Sequence, residues 1–208
     1  MMDFKHKGEK VLLAEGKNDC HVILSLCKQH AVPQVFGFYD CGSDKKVLKK
    51  MSALIAGAEP IDTIGIVLDA DNPNLSAKWD AVNQRLTKEG YVLPTQPTSN
   101  GTIIEQQGKP TIGIWFMPDN NVDGMLEDFC HRLIDEESLA VASECVGKAQ
   151  AQKVTSFIDN HHAKAVIHTF LAWQNEPGMP LGQAITARAL DGNKPLAIEF
   201  SAFLKRLF

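Results

Sequence analysis

Short, continuously apolar runs set between helical patterns constrain this chain most. Thr63–Leu68 (TIGIVL) is such a run, suited to a parallel strand buried on both faces. Lys10–Ala14 (KVLLA) reads as the first strand. Lys17–His30 reads as a helix that turns Val22, Ile23, Leu26 and Cys27 inward. Pro33–Tyr39 follows as the second strand. Ser43 and Asp44 can cap a helix through Ala56, and a third helix is expected from Ser76 to Lys88. Strands alternating with helices in this way build an α/β fold, a mostly parallel sheet flanked by helices.

The stretch Thr95–Pro118 differs. Ser99-Asn100-Gly101 and Gly108-Lys109-Pro110 punctuate two β-rich runs, GTIIEQQ and TIGIWFM, which predicts an added hairpin or edge strands. From Gly124 onward the pattern is helical, broken at Pro177–Pro180 and Gly192–Pro195. The reading is therefore an α/β domain over residues 1–122 with a helical extension over 123–208 packed on it. A chain of 208 residues is long enough for that arrangement.

Composition excludes several classes. An apolar fraction of 44% and a charged fraction of 22% are those of an ordinary globular protein. No run is long and apolar enough to span a bilayer, and MMDFKHKGEK lacks the apolar core of a secretory signal, so a cytoplasmic location with no membrane partner is expected. Cys20, Cys27, Cys41, Cys130 and Cys145 are odd in number and form no CxxC pair, which argues against disulfides and a zinc ribbon and for reduced thiols in or near the core. The net charge of −4 does not advertise nucleic-acid binding, although a carboxylate cluster loaded with divalent cations reverses the local sign of its own site.

Two motifs carry chemistry. Ala14-Glu15-Gly16-Lys17-Asn18-Asp19 falls where the first strand ends and a helix begins, the edge at which parallel sheets bind ligands. Glu15 would lie at the strand tip, with Asp19 one helical turn on and facing the same crevice. Alone, the pair reads better as a solvated loop residue and an acid complementing the helix dipole. Leu68-Asp69-Ala70-Asp71-Asn72-Pro73 again follows a buried strand. Its two aspartates can project together as hard oxygen ligands for Mg²⁺ or Mn²⁺, whereas an Asx turn closed by Pro73 is the plainer alternative. Pro73 and Asn74 occupy positions that exclude an EF-hand. Both motifs end parallel strands, so they would meet at one sheet edge.

Val11–Asp19 (VLLAEGKND) followed by Ile64–Asn72 (IGIVLDADN) resembles the Toprim domain of topoisomerases, bacterial primases, small RNA maturases and OLD-type nucleases. With EGKND and a helical tail, the chain resembles an uncharacterised bacterial Toprim-like family near the OLD-type nucleases. The resemblance implies a metal-ligand or acid/base role for Glu15, metal ligation by Asp69 and Asp71, and a further ligand in Asp19. Asn72-Pro73 departs from the topoisomerase pattern, and no GxxxxGK[ST] is present to bind a nucleotide phosphate. The resemblance therefore implies a nuclease-like protein acting on DNA or RNA. OLD-type nucleases join this domain to an ATPase, so the helical half is expected to dock a separate ATPase or a second copy of the chain.

A third acidic stretch runs from Asp119 to Asp128, around a helix start expected at Asp123. Capping accounts for Asp128, while Glu127 could complete a second metal site. One or two ions on Glu15, Asp19, Asp69, Asp71 and Glu127 would support in-line displacement at phosphorus. Lys17, or more distantly Lys164, would neutralise the developing charge. Lys45, Lys46, Lys49 and Lys50 form a basic run on the second helix, which is either a solvated face or a track for a phosphate backbone. His161, His162 and His168 read as surface or satisfied core residues, and Trp79, Trp115 and Trp173 as packing residues. Two rivals remain: a metal-binding or regulatory module without turnover, and a phosphatase of the haloacid dehalogenase type with Asp69 as nucleophile and Asp71 as acid/base. The second suffers because that motif usually opens a chain and has Thr or Val where Pro73 stands.

Overall fold

Residues 8–58, 60–71 and 73–208 are described by a computed structural model; residues 1–7, Glu59 and Asn72 lie outside that set, and with them the readings of the N-terminal stretch and of the Asn72 position. Five strands form one sheet in the order β2 (Gly37–Asp40), β1 (Lys10–Ala14), β3 (Thr63–Asp69), β5 (Thr111–Met117), β4 (Thr102–Ile104). The first four are parallel, and the three-residue β4 runs antiparallel at the edge. The apolar runs take the central positions because strands paired on both sides and covered on both faces leave no place for polar side chains.

Period-two alternation then sorts those runs into two cores. Val11, Leu13, Ile64, Ile66, Leu68, Ile112, Ile114 and Phe116 face α2 (Asp44–Ala56) and α3 (Leu75–Lys88), which contribute Val47, Met51, Trp79 and Val82. Leu12, Ala14, Val67, Trp115 and Met117 face the other way. There they meet α1 (Lys17–Gln29) and most of the helical half: α4 (Leu126–His131), α6 (His162–Leu171), α7 (Leu181–Thr186) and α8 (Pro195–Leu207). Helix α5 (Glu136–Ala151) is more peripheral and buries only Ala142 and Val146. Each large apolar side chain sealed in these layers contributes roughly 1.5–3 kcal/mol.

Helix α8 closes the second face through two glycines. Gly65 and Gly113 are register partners on β3 and β5, and a Cβ at Gly113 would stand 2.3 Å from Leu207 Cδ2. Their bare backbone forms a groove that Leu207 fills, while Trp115 meets the ring of Phe200 edge-on at 5.0 Å. Helix α7 approaches α1 just as closely, since a Cβ at Gly182 would lie 2.7 Å from the His21 carbonyl.

Several expectations need correction. The second strand begins at Gly37, not Pro33: Pro33 has no N–H to give a ladder, and Val35 is exposed. Helix α4 begins at Leu126 rather than Asp123, because Asp123 instead accepts the Leu75 amide at the start of α3, 2.8 Å away. Trp173 is 49% exposed and does not pack as expected, and Cys145 is exposed whereas Cys20, Cys27 and Cys130 are buried. His161, His162 and His168 all lie at the surface. Among the described residues, no helix is long and apolar enough to cross a membrane.

Candidate metal centre

The C-terminal ends of β1 and β3 deliver Glu15 and Asp69 to one point. The amide of Asp69 donates to Glu15 Oε1 at 2.9 Å, so the two strand-tip acids are joined through backbone. Asp69 Oδ1 in turn accepts the Leu126 amide at 2.9 Å, which seats the start of α4 against the tip of β3. Gly16 turns the chain from β1 into α1, and Asp19 enters from the first turn of that helix. Glu127, on α4, is 4% exposed and pairs with Lys164 of α6 at 3.2 Å.

Glu15, Asp19, Asp69 and Glu127 line a cleft of about 440 Å³, with Lys17 and Lys164 on its walls. Elements from both halves of the chain therefore contribute acids to a single cavity. Asp71 is placed differently. It lies 4.0 Å from the Lys78 ammonium and borders a neighbouring cavity with Asp123, Asp128, Asp159 and His162. The backbone explains the separation: Ala70, between the two aspartates, exchanges hydrogen bonds with Gly124, so the loop after β5 pairs with the chain there. Lys78 is anchored by Asp44 at 2.9 Å.

The electrostatics of the cleft oppose its own charge. Burial, and then the charges of Asp19, Glu15, Asp71 and Glu127, push the Asp69 carboxyl up to about 9. Burial also raises Asp19 to about 7, with Glu15 and Glu127 adding to it and the Asp19 and Gly16 amides partly offsetting it. Glu15 is raised by burial against the relief given by the Asp69 amide and Lys78. Asp19 is 6% exposed, and its Oδ1 is buried with no hydrogen-bond partner. An orphaned acid oxygen in such a place costs roughly 1–3 kcal/mol or more unless a proton or a cation satisfies it.

Among the described residues, no three His, Cys, Asp or Glu side chains stand close enough together to form a ready-made ligand set. The cleft is thus a group of mutually repelling carboxylates held apart, with one orphaned oxygen among them. Its chemistry fits a hard divalent cation: four carboxylates, oxygen donors only, and two ammonium groups alongside. The neighbouring cavity does not share that fit as well, because Asp123 and Asp128 already serve the Leu75 and Met125 amides.

Sequence reasoning brought Glu15, Asp19, Asp69, Glu127, Lys17 and Lys164 to attention, and all six border the cleft. It missed the Leu126 amide and the Asp44–Lys78 pair beside Asp71. A lysine next to Trp79 on the inward face of α3 was the only available signal for the pair. Comparison with curated proteins and with solved structures gives no match. Over residues 9–208, however, the sequence matches the family described as protein of unknown function (DUF3226), and the chain belongs to that family.

Proposed function

We propose that this protein is a cytoplasmic, Toprim-like, divalent-metal-dependent phosphodiesterase acting on nucleic acid, in the manner of the OLD-type nucleases. The observation that carries the reading is the orphaned, buried Asp19 Oδ1 inside a cleft where three further carboxylates crowd it. A group of like charges held out of water is costly to keep, and a bound cation turns that cost into affinity. Glu15, Asp19, Asp69 and Glu127 would hold Mg²⁺ or Mn²⁺, with Asp71 in reserve at the side. Bound there, the ion would lower the pKa of a water molecule and stabilise negative charge on phosphoryl oxygens.

The chain's own residues do the rest. The Leu126 and Asp69 amides fix the orientation of Asp69 and Glu15 by backbone, which favours rigid positioning. Burial raises the Glu15 carboxyl in the metal-free cleft, and ligation of the ion would draw off its proton and lower it again. Lys17 and Lys164 border the cleft and can neutralise a phosphate oxygen. Lys164 now neutralises Glu127, and a cation on Glu127 would release it for that task.

The test has two steps. Calorimetric titration with Mn²⁺ should give saturable binding that Asp69→Asn weakens by about tenfold or more, a loss that removal of even an outer-shell partner brings. Purified protein with Mn²⁺ should then nick plasmid DNA or degrade RNA, and Asp69→Asn should not. Equal cleavage by the two proteins would trace the activity to a contaminant and sink the enzymatic reading. One observation favours a second reading, a metal-binding module without turnover: Asp71 is engaged by Lys78 and faces another cavity. Saturable Mn²⁺ binding with no cleavage of any nucleic acid would select it.

A further inference from the structure

A phosphodiester approaching this cleft meets four carboxylates in a chain whose net charge is −4. Attraction for the substrate must therefore come from outside the cleft. Four lysines stand on the first turns of α2, which begins at the same sheet edge as the cleft although it packs on the face opposite α1, α4 and α6. Helix α2 follows β2, the strand next to β1, and the Cys41 amide donates to the Ala14 carbonyl at 3.0 Å, one residue before Glu15. The start of α2 thus shares an edge with the acidic group. Lys46 leans back over Gly42 at that edge, its Nζ 3.5 Å from where a Cβ of residue 42 would be.

Among the described residues no carboxylate forms an ion pair with Lys45, Lys46, Lys49 or Lys50, as is true of most lysines of the chain, but only here do four such charges stand on two adjacent turns. Lys45, Lys46 and Lys49 are exposed, and Lys50 lies over the Tyr39 ring at 4.4 Å. Positions 45 and 49, like 46 and 50, are one helical turn apart, about 6 Å along the axis. Four cationic side chains on two consecutive turns thus form a short basic strip to which a polyanionic backbone is attracted.

The character of the substrate follows from what accompanies the lysines. Binding of single strands depends on aromatic rings on which bases stack. Here Trp79, Trp115 and Phe116 are buried, Tyr39 lies under Lys50, and the exposed Trp173 follows α6 in the helical half rather than standing on α2. We infer that the lysine row of α2 is the docking surface for double-stranded nucleic acid, gripping one backbone without reading sequence and leading it to the Glu15–Asp69 cleft. This rests on the phosphodiesterase reading for the cleft, but the lysine contacts can be measured apart from it.

The experiment follows the fluorescence anisotropy of a labelled 20-base-pair DNA duplex of mixed sequence, in chelator, over a series of salt concentrations. Wild type is compared with Lys45→Gln/Lys46→Gln/Lys49→Gln and, as a control, with Lys148→Gln on α5. Glutamine keeps helix propensity nearly unchanged, so folding is preserved. Duplex affinity of the triple variant should fall at least about tenfold, with the salt slope reduced by about 0.9 for each lysine that meets a phosphate. The control and the Mn²⁺ affinity of the triple variant should not change. Equal duplex affinity for wild type and triple variant would overturn the inference, as would a clear preference for the corresponding single strand. A wild type that binds Mn²⁺ but no duplex would also overturn it while leaving the metal reading intact. Loss of duplex binding in the triple variant of a protein that takes up no Mn²⁺ would support the docking surface and defeat the metal reading instead.

Discussion

At Asp69 a carboxylate sits where burial and neighbouring acids oppose its charge, yet its side chain is fixed by the Leu126 amide. Its folded pKa is raised, as is that of Asp19. For an acid shifted upward, the contribution to stability is complete below the unfolded value and is lost as pH rises through the folded one. The metal-free protein should therefore lose stability between pH 5 and pH 9 through these two groups. Asp69→Asn removes one of them and keeps an acceptor for Leu126, so its melting temperature should exceed that of wild type by more at pH 9 than at pH 5. Saturating Mn²⁺ should reverse the order. A constant difference across the range, measured by thermal melts in chelator, would show that Asp69 is not under this strain. Glu15 and Asp69 were legible in the sequence because each directly follows an apolar strand. The departure of Asp71 was not, since it depends on Ala70 pairing with Gly124, far along the chain.

Among the elements, α1 carries the cleft's Lys17 and Asp19 at one end and is buttressed at His21 and Ser25 by the short α7. Gly182 lets the two backbones meet, and Ser25 Oγ donates to its carbonyl at 2.8 Å. Gly182→Ala would drive a methyl group into the His21 backbone, a contact no rotamer can relieve. It should destabilise the fold by about 1–3 kcal/mol, read from urea denaturation. Because α1 would shift, Mn²⁺ affinity should fall as well. An unchanged denaturation midpoint would mean that α7 yields freely. Strands β1 and β3 were readable because complete burial demands a nearly continuous apolar run, whereas TIGIWFM was read only as part of a hairpin or edge and is in fact the interior strand β5, parallel to β3. The start of α4 was misread because Asp123 looks like a local cap, while its partner, Leu75, begins a helix from another part of the chain. Lys164 meeting Glu127 was no more accessible, because no local period reports which helices of the second half will touch.

Across the whole molecule, α8 seals a sheet face made from strands that end at Met117. A chain stopped before Pro195 would keep every strand but leave Trp115 and the Gly65–Gly113 groove uncovered. It should bind 1-anilinonaphthalene-8-sulfonate strongly and aggregate, whereas the full chain should do neither. A truncated chain that remained monomeric and dark to the dye would show that the other helices suffice to cover the face. The same groove bears on the order of events during synthesis. Between the last residue of β5 and the first of α8 the ribosome must add the whole stretch 118–194, which at about 5–20 residues per second takes roughly 4–15 s. For that interval a half-built sheet waits with an open apolar slot, so the nascent chain is a client for chaperones on one face only.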